Sequence, residues 1–318
     1  MPLPGGFSLR PAVIDDVDFW CRVRSTDPRL ARDPVQARAS WDDVAPGVVR
    51  ERSLILQGGI PIGVLLVWLA PPDEGRTRFG QVGADFLDGE ATDELRDAAW
   101  DLVEGRAREL GAEVLTSHCY DHETERRECL AARGYLLDRA GIISGLRIGE
   151  QRERFLQEAG RTQEALRAAG VELTTMDRLP DGQRALYQVL MEAEADIPST
   201  IPIVSESYEV FLKGLRQPWI GEHRVWVAVE GDRPLGMSWL MYQPVTGNVY
   251  TNFTGVARAA RGRGLARALK LQTIVQALEA GVDMILTEND AENAPILKIN
   301  RDFGYQPLRE NLSFRKPA

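Results

Sequence analysis

Cysteine, histidine and long apolar runs are scarce in this chain, and each shortage removes a class of protein. The three cysteines, Cys21, Cys119 and Cys129, are odd in number, widely spaced and confined to the first half. They lay out no disulfide framework, so a reducing, cytoplasmic setting is expected. With three histidines, only His118-Cys119-Tyr120-Asp121-His122 gathers metal-ligand types. It lacks the paired cysteines or His-Glu-x-x-His spacing of a strong zinc signature, and no metal is expected. No apolar run reaches the roughly 18 residues of a membrane span. Met1-Pro2-Leu3-Pro4-Gly5-Gly6 does not read as a basic and then apolar leader, so a soluble, unprocessed chain with no membrane partner is expected. Basic residues are a minority, 38 Lys and Arg against 47 Asp and Glu for a net charge of −9. That balance argues against a nucleic-acid partner, whose phosphates are held by a basic field.

What is present is an ordinary globular composition, 44% hydrophobic and 27% charged over 318 residues, enough for two domains of full core size. In the second half, residues 171–173 read as a strand, 181–194 as a helix, and 224–230 with 235–242 as a hairpin. A strand over 248–256, a helix over 264–280, a buried strand over 284–287 and a shorter helix over 293–303 follow. The first half repeats this order at an offset of roughly 170 residues. Pro61-Ile62-Gly63 echoes Pro234-Leu235-Gly236, Gly111 echoes Gly281, and Gly134-Tyr135 echoes Gly304-Tyr305. The expected organisation is a mixed α/β (α+β) fold of two similar domains, residues 1–150 and 171–318, joined by a partly helical linker over 151–170.

One element is not repeated. In the second half, Arg261-Gly262-Arg263-Gly264-Leu265-Ala266 follows a strand and opens a helix. A basic glycine turn at a helix start offers free backbone N–H groups, backed by the helix dipole, to a phosphorylated ligand. Arg258, Arg261, Arg263, Arg267 and Lys270 concentrate positive charge there in an otherwise acidic chain, which suits a small polyanion. The first half has Leu87-Asp88-Gly89-Glu90-Ala91-Thr92-Asp93-Glu94 instead, whose carboxylates would repel a pyrophosphate. One competent ligand site per chain is expected, in the second half.

These residues resemble the GNAT acyltransferases, whose signature is Arg or Gln, two residues, Gly, one residue, then Gly or Ala. Thr287-Glu288-Asn289, Asn293 and Gly304-Tyr305 look like the Thr-x-Asn, Asn and Gly-aromatic ending of many bacterial members. The resemblance is good over residues 171–316 and faint over 7–148, and the doubled plan is similar to that of mycothiol synthases. It implies two GNAT-like domains, each a twisted, mostly antiparallel sheet flanked by helices, with a splayed strand pair at the cofactor site. The implied cofactor is acetyl-CoA. It would be held by Thr254 and Val256 on the strand, by Arg261, Gly262, Arg263, Gly264, Leu265 and Ala266 in the turn, and by Asn289 and Asn293. Both asparagines also read as helix caps, and the two roles are compatible. The backbone N–H of Val256 is the implied donor to the acyl carbonyl.

The chain departs from the family at two catalytic positions. Where many members carry a Tyr acid it has Asn300, and where many carry a Glu base it has Tyr250. Period-two alternation places Tyr250, Asn252, Thr254 and Val256 on one strand face, which would aim Tyr250 at the acceptor. Tyr250 and Asn300 are the catalytic candidates, and a half-buried strand tyrosine that only packs is the plainer alternative for Tyr250. Glu194 and Asp196, with Glu192 nearby, are candidates for a cationic acceptor, and a solvated helix face is the plainer alternative. The proline-broken loop Ile197-Pro198-Ser199-Thr200-Ile201-Pro202 would line the acceptor pocket. The expected activity is acetyl-CoA-dependent N-acetylation of a small-molecule primary amine by direct attack in a ternary complex. The alternatives are a coenzyme A-binding sensor or partner module with weak or lost catalysis, and a mycothiol synthase-like activity.

Overall fold

A computed structural model of the chain describes residues 3–72, 75–179, 183–201, 203 and 206–318. Asp181, at the start of the expected helix, and Pro202 of the proline-broken loop lie outside the described residues. The chain divides into two compact units, Met1–Arg139 with Asn311–Ala318, and Ala140–Glu310.

Unit 1 is built from β1 (Phe7–Pro11), α1 (Val17–Val23), α2 (Pro34–Ala39), β2 (Val49–Gln57), β3 (Ile60–Leu69), β4 (Phe79–Phe86), α3 (Asp93–Glu109), β5 (Val114–Tyr120), α4 (Thr124–Ala132) and the start of β6 (Leu136–Arg147). Unit 2 continues with α5 (Arg152–Ala168), β7 (Glu172–Thr175), α6 (Gln183–Glu194), α7 (Tyr208–Leu215), β8 (Trp226–Glu230), β9 (Arg233–Tyr242), β10 (Val249–Val256), α8 (Leu265–Glu279), β11 (Met284–Asp290), α9 (Ala294–Phe303) and the start of β12 (Gln306–Pro317). The two sheets follow one plan. β1 to β4 and β7 to β10 are antiparallel neighbours in order, and β4 with β5, like β10 with β11, is the single parallel step. The repeat read from the sequence is therefore a repeat of topology.

The unit boundaries correct the sequence-based division at residues 150 and 171. Residues 141–147 of β6 pair antiparallel with β11 and close the sheet of unit 2. Residues 311–317 of β12 pair antiparallel with β5 and close the sheet of unit 1. Alternation along a strand records which face is buried and not which sheet the strand enters, so this exchange is silent in the pattern. The 151–170 segment is helical as expected, but α5 is core and not linker. Phe155 is fully buried among Leu271, Ile274 and Phe303, and Arg152 donates to the Leu278 carbonyl at 3.1 Å.

The helix α7 was not foreseen, although its signals are present. Ser207 caps it by accepting from the Val210 N–H at 3.3 Å, and Tyr208, Phe211, Leu212 and Leu215 recur at helical spacing. Packing of α6 on β10 is unusually close. A Cβ at Gly255 would lie 2.6 Å from the Phe253 ring and 2.7 Å from the Ala193 Cβ. Gly255→Ala should therefore cost about 1–3 kcal/mol by overpacking, read as a lower urea midpoint with an unchanged m-value; an unchanged midpoint would show that α6 can give way.

Candidate active site

The site of unit 2 starts from a parting of strands. β10 and β11 pair only at Val249 with Ile285 and Tyr250 with Leu286. Beyond these residues β10 runs on to Val256 against β9, and β11 to Asp290 against β6. The edges between them leave peptide groups for an extended ligand to pair with.

At the open end, β10 passes through a short 3-10 turn at Arg258–Ala260 into Arg261-Gly262-Arg263-Gly264 and α8. Gly262 has φ +78° and Gly264 φ +76°, in the left-handed region that disfavours a Cβ. A Cβ at either would meet nothing within 4 Å, so the space in front of the turn is open. Conformation, and not crowding, is what requires glycine here. α8 begins with no side-chain cap and no acidic residue in its first turn. In unit 1 the corresponding α3 is capped by Thr92, which accepts from the Leu95 N–H at 3.2 Å, with Asp93 and Glu94 in the first turn. Leu265 is buried in the core, and Ala266 packs against it. The residues present therefore fit a diphosphate-bearing coenzyme: N–H groups without side-chain competitors, an open approach, and positive charge alongside.

The arginines of the turn are all paired. Arg258 donates to Asp196 at 2.6 and 2.9 Å, and Arg261 donates to it at 2.7 Å. These hydrogen bonds, first that from Arg258 and then that from Arg261, hold the Asp196 carboxyl far below the usual carboxylate range. Arg263 meets Glu230 at 2.7 Å and Arg267 meets Glu158. The Glu192 carboxylate accepts from the Arg258 N–H. Such exposed pairs are worth little, so an incoming polyanion can exchange partners with them cheaply. Glu192 and Asp196 thus brace the turn from the end of α6. This corrects the expectation that Asp196 faces an acceptor: both of its oxygens are committed to arginine. Glu194 is half-buried at the end of the same helix.

Comparison with known proteins agrees with this geometry. Residues 187–305 match the model of the acetyltransferase (GNAT) family. Over 107 residues the chain is 27% identical to a mycothiol acetyltransferase of Jonesia denitrificans, covering 33% of this chain and 34% of that protein. Over 98 residues it is 31% identical to one of Pseudarthrobacter chlorophenolicus, covering 29% and 30%. The match thus spans about a third of the length of these curated relatives. A solved tandem GNAT protein from the clavulanic acid biosynthesis pathway superposes over 98% of both chains with a TM-score of 0.73 at 19% identity. Residues 187–305 thus carry a match to the GNAT acetyltransferase family, on a chain that has the fold of a tandem GNAT protein.

The face of β10 differs from simple alternation. The β9–β10 register slips between Thr251 and Phe253, leaving Asn252 as a bulge residue. Thr251, Thr254 and Val256 oppose Leu240, Ser238 and Gly236, whereas Tyr250, Phe253 and Gly255 oppose Met241, Trp239 and Met237. Residues opposed across the ladder share a face, so Tyr250 does not share one with Thr254 and Val256 as alternation implied. The Tyr250 face is the one covered by α6, through Gly255 and Ala193. The Thr254 face is covered by α8, with Leu269 and Val256 closing on Gly236. There the Thr254 hydroxyl shares a hydrogen bond with Ser238 at 2.8 Å. Unit 1 has no equivalent slip, since β3 and β4 stay in register from Gly63–Phe86 to Leu69–Gly80.

At the end of β11, Asn289 Oδ1 accepts from Asn300 Nδ2 at 2.7 Å and from the Thr287 hydroxyl at 3.3 Å. Asn289 is therefore fixed by α9 and not used as a cap. Asn293 occupies the N-cap position of α9, but its side chain makes no capping bond. Asn300 is buried, and its Oδ1 has no hydrogen-bond partner among the described residues. One N–H of its amide is given to Asn289, and an amide does not ionise, so Asn300 supplies no proton to a leaving group.

The aromatic group on the α6–α7 side carried no advance signal. Tyr187 meets Tyr208 edge-on at 5.6 Å between ring centroids and Phe211 at 5.5 Å. Met191, Ile197, Ile203 and Val210 of the same region are exposed. Among the described residues no cluster of three metal-ligating side chains occurs, and no helix is long and apolar enough to cross a membrane.

Proposed function

We propose that this protein is an acetyl-CoA-dependent N-acetyltransferase that modifies a small-molecule primary amine by direct transfer in a ternary complex. The reading rests most on one arrangement: a left-handed glycine turn opening an uncapped α8, beside strands that part after Tyr250 and Leu286. Acetyl-CoA supplies the acetyl group as an activated thioester. The N–H groups around Gly262, Gly264, Leu265 and Ala266, with Arg261 and Arg263, hold the diphosphate. The open edge of β10 from Thr254 to Val256 pairs with the pantetheine arm, and the Val256 N–H donates to the carbonyl oxygen as charge develops on it. With its Oδ1 taken by Asn300 and Thr287, Asn289 turns its Nδ2 toward the pantetheine, and Asn293 binds beside it. Asn300 is then a positioning residue that acts through Asn289.

On the other face, Tyr250 stands on the α6 side with Phe253, and the exposed apolar residues of α6, α7 and the segment between them favour a hydrophobic or amphipathic amine. Glu194 gives a cationic end group a partner. The amine attacks as the neutral base, and Tyr250 relays a proton between it, the departing thiolate and water. Tyr250→Phe is expected to lower kcat about tenfold or more with KM for acetyl-CoA unchanged. Equal kcat values in steady-state assays would remove Tyr250 from the chemistry.

A narrower reading is a mycothiol synthase-like activity, favoured by the two mycothiol acetyltransferases among the relatives. A coenzyme A-binding sensor or partner module is favoured by Asn300 and Tyr250 standing where the family carries its acid and base. The deciding experiment is a calorimetric titration with acetyl-CoA followed by an acetylation screen. The screen sets a cysteinyl glucosaminyl-inositol acceptor beside a panel of small amines. One site per chain with turnover supports the transferase, binding without turnover supports the sensor, and absence of binding removes both.

A further inference from the structure

The first unit holds a group of arginines with too little negative charge around it. β4 and β5 pair from Phe79 with Val114 to Gln81 with Thr116, and then part as β10 and β11 do. Gln81, Gly83 and Asp85 share one face of β4 beyond this point. The Gln81 side-chain amide lies 2.9 Å from His118 Nδ1. The Asp85 carboxylate meets Arg24 Nε at 3.2 Å and is in direct contact with Arg126. Side-chain exposure is only 10% for Arg24, 15% for Arg126 and 12% for Asp85.

A third guanidinium adjoins them. Arg52 lies 3.9 Å above the Trp41 ring and 5.7 Å from the Trp20 ring, which Arg24 also approaches at 5.8 Å. Its hydrogen bond goes to the Trp41 carbonyl at 2.8 Å, not to a carboxylate. Burial pushes Arg24 and Arg126 down to about 9 and Arg52 to about 10. A guanidinium does not give up its proton, so this direction expresses the cost of holding these charges. Burial also pushes His118 down to about 3, leaving it neutral. Arg24 and Arg126 thus share the Asp85 carboxylate, Arg52 rests on the Trp41 carbonyl and ring instead, and the buried Arg126 Nε has no hydrogen-bond partner among the described residues. Arg133 shows the opposite balance, with Asp97, Asp101 and Glu104 all around it.

We propose that unit 1 carries a binding site for a small oxyanion, a carboxylate or a phosphate, formed by Arg24, Arg52 and Arg126 with Gln81 at its edge. Guanidinium groups fixed on a carboxylate and on indole rings present their remaining donors in a set geometry, which suits fork-like capture of a planar or tetrahedral oxyanion. Asp85 orients two of the three and neutralises part of their charge. The site is not a second coenzyme cradle, because Thr92, Asp93 and Glu94 close the start of α3. The proposal stands independently of the acetyl-transfer reading.

The test is calorimetric titration of the full chain with inorganic phosphate and with citrate, at ionic strength held constant with sodium chloride. It is run in wild type and in Gly264→Glu, in which the turn of unit 2 no longer accepts an anion. The expected result is one-site binding kept in Gly264→Glu, weakened at least tenfold in Arg24→Gln and in Arg126→Gln, and strengthened in Asp85→Asn. Asp85→Asn separates lost binding from lost folding, because its amide oxygen still accepts from Arg24 and Arg126 and holds them in place while the competing negative charge is gone. Binding of citrate alone assigns a carboxylate ligand, and binding of phosphate alone a phosphate. No binding beyond the chloride control, binding that disappears in Gly264→Glu, or weaker binding in Asp85→Asn would overturn the proposal.

Discussion

Gly264→Glu is expected to weaken acetyl-CoA binding by about 100-fold or more, the equivalent of about 3 kcal/mol or above. Two effects add. The backbone at Gly264 has φ +76°, and a side chain there carries a strain of about 1–2 kcal/mol. The new carboxylate also reaches the first N–H groups of α8, where the dipole favours it, and competes with the diphosphate for the same donors. A hydrogen bond to a charged group is worth about 1.5–3 kcal/mol, so losing two of them already reaches the expected effect. Unit 1 displays the natural form of this change, with Thr92, Asp93 and Glu94 at the start of α3. Gly264→Ala separates the two terms. Its Cβ meets nothing within 4 Å, so it brings strain without charge and should weaken binding no more than about tenfold. Calorimetry on the three proteins reads both values, and a Gly264→Glu affinity within a few-fold of wild type would place the diphosphate elsewhere.

That turn was legible from the sequence because its requirement is local. Two glycines with positive φ, an uncapped helix start and an apolar stripe are properties of short stretches. The repeat of the two halves was legible for the same reason, since Gly281 and Gly111 end equivalent helices. What escaped depends on partners distant in the chain. The slip between Thr251 and Phe253 is set by β9, and it moves Tyr250 to the opposite face from Thr254. The placing of β6 beside β11 and of the end of β12 beside β5 leaves no mark in either strand's alternation. Asp196 was legible as a carboxylate near the site. Its commitment to Arg258 and Arg261 required knowing where α6 ends relative to the turn. The signals of α7, the Ser207 cap and the spacing of Tyr208, Phe211 and Leu215, are local, but they follow directly on a proline- and serine-rich segment whose pattern is that of a loop.

Lys270 should make a large, pH-dependent difference to stability from within the helix that carries the turn. It lies in α8 with 1% exposure, its Nζ has no hydrogen-bond partner among the described residues, and it stands 5.0 Å from the centre of the Tyr305 ring. Burial pushes it down from 10.5 to about 7. Tyr305 faces it from the start of β12, and the same burial pushes that phenol up, so it stays protonated and neutral through this range. Between pH 7 and 10.5 the unfolded chain keeps a proton on Lys270 that the folded chain gives up, so stability rises with pH across that window. Below pH 7 both states are charged and the folded state bears the full cost of burial. At about 1.36 kcal/mol per pH unit the window corresponds to at most about 5 kcal/mol, part of which the ring's attraction for the cation already offsets. Lys270→Met, close in length and without charge, is therefore expected to stabilise the protein by about 2–4 kcal/mol at pH 6 and by little at pH 10.5. Urea unfolding of both proteins at the two pH values checks this. A destabilised Lys270→Met at pH 6, or an advantage that does not shrink by pH 10.5, would show that the ammonium is solvated or paired in the folded protein.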